Sequence, residues 1–132
     1  MSKQEGDSAL RQFSVIMAGE NNDFERSINL AKDEVKAGSS RIIGSLLRTQ
    51  GKLVESKNYY EMAIRFEKNE VFAADNYSNL AKVCTELGNV EEAGNYHRKA
   101  LAFHQDQKDK AAIADDYSNL AKLYGEMNKS KE

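Results

Sequence analysis

The chain has 132 residues, enough for one modest core, and its 19 basic and 21 acidic side chains leave a net charge of −2. That balance, with no basic stripe, argues against a nucleic-acid surface, and no apolar run approaches the length of a membrane span. The only cysteine, Cys84, cannot form an internal disulfide, and with no proline in the chain the breaks fall to Gly, Asn, Asp and Ser.

In chain order, residues 1–7 are polar and uncapped and read as a flexible N-terminus without a signal peptide. Leu10, Phe13, Val15, Ile16 and Met17 then carry a helical period to Gly19. The cluster Glu20-Asn21-Asn22-Asp23 reads as a turn. Phe24, Ser27, Ile28, Ala31 and Val35 predict a second helix that Gly38 ends, completing a hairpin over 8–37. Ser39 or Ser40 caps a third helix from Arg41 to Gln50, and Gly51 closes it. A fourth, from Leu53 to about Glu67, carries Ser56, Tyr60, Ala63 and Ile64, giving a hairpin over 40–67.

Asn69 is the expected cap of a fifth helix, Glu70 to Leu87, with Tyr77, Leu80, Ala81, Cys84 and Leu87 on its buried side. Gly88-Asn89 turns the chain into a sixth helix with Val90, Ala93, His97, Ala100 and Leu101, and the pair spans 70–105. Asp109 caps a seventh helix, a half repeat over 110–128, with Tyr117, Leu120, Ala121, Tyr124 and Met127. No segment alternates apolar and polar residues long enough to predict a strand. The fold class is all-α: an α-solenoid of antiparallel helix pairs, about three hairpins plus a C-terminal single helix, over 8–132.

One stretch is written twice. Residues 74–82 read Ala-Asp-Asn-Tyr-Ser-Asn-Leu-Ala-Lys and residues 114–122 read Ala-Asp-Asp-Tyr-Ser-Asn-Leu-Ala-Lys, eight of nine identical at an offset of 40. A period of that size is the mark of stacked helical repeats, each too small to bury its own face.

The residues of these hairpins resemble the tetratricopeptide repeat family. Tyr77, Leu80-Ala81, Cys84 and Gly88, followed by Ala93, His97 and Ala100, fit the family pattern for one hairpin. Ile43-Gly44, Leu47, Gly51, Ser56, Tyr60 and Ala63 fit it for the hairpin before. Tyr117, Leu120-Ala121 and Tyr124 fit its first half again, with Asn128 in the slot of the turn glycine. Val15, Ala18, Phe24, Ser27 and Ala31 fit more loosely, with Asn22 in that slot. The 40-residue spacing is most similar to the long-repeat subgroup seen in kinesin light chains and related adaptors.

The resemblance implies that the first helix of each pair lines a concave groove and that the chain is a non-enzymatic scaffold. It would hold a peptide or helix segment of another protein there. The residues that would face such a partner are Arg41, Ser45, Arg48, Asp75, Ser78, Asn79, Lys82, Glu86, Asp115, Ser118, Asn119, Lys122 and Glu126. Asn79 and Asn119 matter most, because an amide both donates to and accepts from a peptide backbone. Arg41, Arg48, Lys82 and Lys122 could hold acidic groups.

The alternative is an assembly module. The seventh helix has no eighth to cover it, so Tyr117, Leu120, Tyr124 and Met127 would leave an apolar face open for a second copy, a homo-oligomer. The remaining candidates for chemistry are weak. His97 reads as a packed core histidine, His104 lacks partners at metal-ligand spacing, and Cys84 has no base beside it. No phosphate loop, nucleophile elbow or catalytic pair stands out, so no enzyme, cofactor or metal is expected. The expectation is a soluble cytoplasmic protein with neither nucleic acid nor membrane as partner.

Overall fold

A computed structural model describes the backbone of residues 3–131 and the side chains of residues 22, 23 and 25–129. Five helices follow one another: α1 (Lys3–Thr49), α2 (Leu53–Phe66), α3 (Glu70–Glu86), α4 (Val90–Asp106) and α5 (Lys110–Lys131). Among the described residues there is no strand, and no helix is long and apolar enough to cross a membrane. The chain forms two compact units, Met1–Asp33 and Glu34–Glu132. In the first, Ile28 and Leu30 are exposed. The second is an all-α solenoid of antiparallel helix pairs.

The seven expected helices are therefore five. The turn at Glu20–Asp23 and the stop at Gly38 do not occur, the hairpin over 8–37 is absent, and Lys3 to Asp7 are helical rather than loose. Met1 and Ser2 lie outside the described residues. The physical reason is that no proline forces a break, and residues 22, 23 and 25–36 are exposed apart from the half-buried Asp33, so the helix accepts polar residues on every face there. Glycine inside a helix costs about 1 kcal/mol, too little to end one by itself.

Where the breaks are real, the backbone shows why. Gly51 and Gly88 have φ of +79° and +84°, a left-handed conformation that favours glycine. Lys52 N–H donates to Leu47 C=O at 2.9 Å and Asn89 N–H to Cys84 C=O at 2.8 Å, so each helix ends in a Schellman motif. Lys108 does the same work at φ +57° without being glycine, and Asp109 N–H closes the motif on His104 C=O. At the other ends, the Asn69 side chain accepts from Val71 and Phe72 N–H, and Asp109 accepts from Ala112 N–H.

The core gathers on Tyr60, Leu80, Val83, Cys84, Ala93 and Leu123, with Leu53, Ile64, Leu87, Val90 and Tyr96 packed around it. Small residues set how closely the helices approach. Ala63, Ala74, Ala81, Ala93 and Ala100 are all fully buried. At Gly44 an added Cβ would sit 3.2 Å from the Tyr60 ring, and the Ser56 hydroxyl donates to Gly44 C=O at 2.6 Å. Tyr77, expected in the core, is only half-buried and stacks between Tyr96 and Phe103 at 6.0 and 5.9 Å.

Candidate functional site

Helices α1, α3 and α5 each turn one polar face to the same side of the second unit. Two adjoining cavities open there. One, of about 320 Å³, is lined by Arg41, Asp75, Ser78, Asn79, Lys82, His104, Ala112, Asp115, Asp116 and Asn119. The other, of about 250 Å³, is lined by Arg48, Lys82, Thr85, Glu86, His97, Asn119, Lys122, Leu123 and Glu126. Lys82 and Asn119 belong to both, so the two form one groove running along α3 and α5.

Eleven of the thirteen residues expected to face a partner line this groove. The other two, Ser45 and Ser118, line neither cavity; Ser45 is exposed and its carbonyl accepts from the Thr49 hydroxyl, and Ser118 is exposed. The helical wheel identifies the face because the three helices turn equivalent sides inward.

Some groove charges are already engaged. Arg48 grips Glu86 through Nε at 2.9 Å and Nη2 at 2.5 Å, tying α1 to α3. The Arg41 guanidinium lies 4.6 Å from the centre of the Phe72 ring. Asp75, Asp115, Lys82 and Lys122 are exposed and form no ion pair with another described residue.

The groove floor holds polar residues that periodicity does not reveal. His104 Nδ1 and Asp116 Oδ2 lie 2.5 Å apart across α4 and α5, with both residues buried. The signal was present in the doubled stretch, whose two copies differ only at Asn76 and Asp116. Asp116 has His104 twelve residues before it. Asn76 has Ile64 at that distance, and neither atom of its buried amide has a partner. The copy that pairs with a histidine carries the acid, and the copy with an isoleucine at the same offset carries the neutral amide.

His97 is a packed histidine, as expected, 3 % exposed and with no partner for Nδ1. Burial pushes its pKa below the usual histidine range, Lys82 adds to that, and Asp116 opposes it. The ring is therefore held neutral at pH 7. Cys84 is fully buried, and burial raises its thiol to about 11, so it stands as a small core hydrophobe rather than a nucleophile.

The α5 face expected to lie open is different in detail. Leu120 is only 6 % exposed, and α5 packs on α4 through Asp116, Leu120 and Leu123. Gly94 makes this possible, since a Cβ there would stand 3.3 Å from Leu123 Cδ2. Tyr117 and Tyr124 remain outside at 54 % and 46 % exposure, and the Tyr124 hydroxyl accepts from Arg98 Nη1 at 2.8 Å. Met127 is half-buried.

With this geometry in hand, two comparisons place the chain among known proteins. The chloroplastic protein FLUORESCENT IN BLUE LIGHT of Arabidopsis thaliana is 28 % identical over 105 residues, which is 77 % of this chain and 31 % of that protein. The chain thus spans under a third of that relative's length. The family model of the tetratricopeptide repeat matches residues 72–132, from the first turn of α3 through α5, so the α1–α2 pair lies outside the match.

Proposed function

We propose that this chain is a non-enzymatic adaptor that holds a segment of another protein in the groove formed by α1, α3 and α5. The observation that carries this reading is the pairing of Asn79 and Asn119, half-buried and equivalent in the doubled stretch, along one groove. Two amides spaced this way can each donate to and accept from a peptide backbone. The match of residues 72–132 to the tetratricopeptide repeat, a module that generally serves protein–protein contact, supports it. The 40-residue spacing favours the long-repeat, peptide-binding subgroup. A cytoplasmic location belongs to the same proposal and rests on Cys84 being the single cysteine, so that the fold needs no oxidising compartment.

Peptides selected on the wild-type chain from a displayed library of random sequence test this directly. Asn79→Ala combined with Asn119→Ala is expected to weaken them by about thirtyfold, the loss of four water-exposed hydrogen bonds at about 0.5 kcal/mol each, with the melting curve nearly unchanged. Unaltered affinity would sink the groove reading.

A second reading, homotypic contact through α5, has one observation in its favour: the exposure of Tyr117 and Tyr124. Light scattering at tens of micromolar should then show an oligomer that Tyr124→Glu converts to monomer. A monomeric wild-type chain removes this reading.

A further inference from the structure

The charges of the groove repeat as its amides do. Passing along α3 a ligand meets Asp75, Asn79 and Lys82, and along α5 it meets Asp115, Asn119 and Lys122. We propose that the groove takes an internal, extended segment of a partner protein whose basic and acidic side chains stand three residues apart. The basic side chain sits between Asp75 and Asp115, and the acidic one between Lys82 and Lys122. This assignment rests on the groove being the binding site.

Neighbouring charges are spent on the protein itself: Arg48 on Glu86, Arg41 on Phe72, and Asp116 on His104. Of the groove charges that repeat at the offset of 40, Glu86 and Glu126 are engaged within the chain, whereas Asp75, Asp115, Lys82 and Lys122 are exposed and lack an ion-pair partner among the described residues, so these four are the ones a ligand can pair with. His97, which lines the lysine end from α4, is neutral at pH 7 and adds no charge of its own.

Distance sets the spacing. Lys82 follows Asp75 by seven residues, as Lys122 follows Asp115. At about 1.5 Å per residue this is about 10 Å along the helices. An extended chain rises about 3.3 Å per residue, so about three of its residues cover that span. The amides of Asn79 and Asn119 then fall beside the backbone between the two charges. A purely acidic segment meets the aspartates and a purely basic one meets the lysines, so each is rejected at one end. Because the groove is open to water, the charges select among partners more than they tighten binding.

An array of Ala/Ser decapeptides tests this, each carrying one Arg and one Glu at separations from one to seven in both orders. All-basic and all-acidic peptides complete it. The full chain is applied as wild type, as Lys82→Glu/Lys122→Glu, as Asp75→Lys/Asp115→Lys and as Asn79→Ala/Asn119→Ala, with folding of each confirmed by circular dichroism. The expected result is a maximum at a separation of three, about tenfold above separations of one or six. The lysine variant should turn to all-basic peptides and the aspartate variant to all-acidic ones. Binding that ignores separation and charge but falls in the asparagine variant overturns the two-charge assignment and leaves the groove standing. If no peptide is bound, or if binding ignores all three variants, the groove reading falls with it.

Discussion

Replacing His104 by alanine is expected to lower the unfolding free energy by about 3 kcal/mol, with a fall in melting temperature of roughly 10 °C. Asp116 is 2 % exposed, and His104 is the partner its carboxylate has in the structure. Without the imidazole, the buried carboxylate loses that partner, and leaving one member of a buried pair alone is costly. The chain itself contains the experiment's control. At the equivalent place in α3 the acid is replaced by the neutral Asn76, and the residue twelve before it is Ile64. Writing that solution into the second copy, as His104→Ile with Asp116→Asn, should cost only about 1 kcal/mol, because no charge is left behind. The inverse graft, Asn76→Asp alone, places an unpaired carboxylate at a fully buried position and should destabilise about as much as His104→Ala. Urea unfolding at pH 7 followed by circular dichroism measures all of these. A loss below about 1 kcal/mol for His104→Ala would show that the pair contributes little to holding α5 on α4.

This pair also marks what the sequence could and could not tell. Boundaries from α2 onward were legible to within a residue or two, except the end of α5, which runs to Lys131 rather than 128, because Gly51, Gly88, Asn69 and Asp109 each have one local job with one chemical solution. The groove face was legible for a related reason: a helix with one apolar side must present the other to solvent. The continuity of α1 was not. Gly38 looks like Gly51 in sequence, yet among the glycines of the described residues only Gly51 and Gly88 adopt positive φ. That difference is decided by whether a following helix folds back to pack, which is a tertiary fact. The face of α5 was misjudged by one notch, since periodicity favours Leu120 and Tyr124 while the space above Gly94 draws in Leu123. Asn76, His104 and Asp116 were missed because periodicity sends polar residues outward, and only a comparison of the two copies shows that these point in.

The contact of α1 with α2 supplies the other large effect. Tyr60→Ala should cost about 3–5 kcal/mol, since the ring is 2 % exposed at the centre of the core and its loss leaves a cavity that small neighbours cannot refill. Those neighbours are fixed in place. Gly44 faces the ring at contact distance, and Ser56 holds the Gly44 carbonyl through its hydroxyl. Gly44→Val in the wild-type chain should therefore destabilise by about 1–3 kcal/mol through overpacking, although valine is a better helix former than glycine. The two substitutions together should not add. In the Tyr60→Ala background the valine methyl groups occupy space the ring has left, so Gly44→Val becomes neutral or mildly stabilising there. The coupling, read from urea unfolding of the four proteins in the cycle, is expected at about 1–3 kcal/mol. Strict additivity would mean that the ring does not rest on Gly44, and that α1 and α2 are held at their spacing chiefly by the hydrogen bond from Ser56.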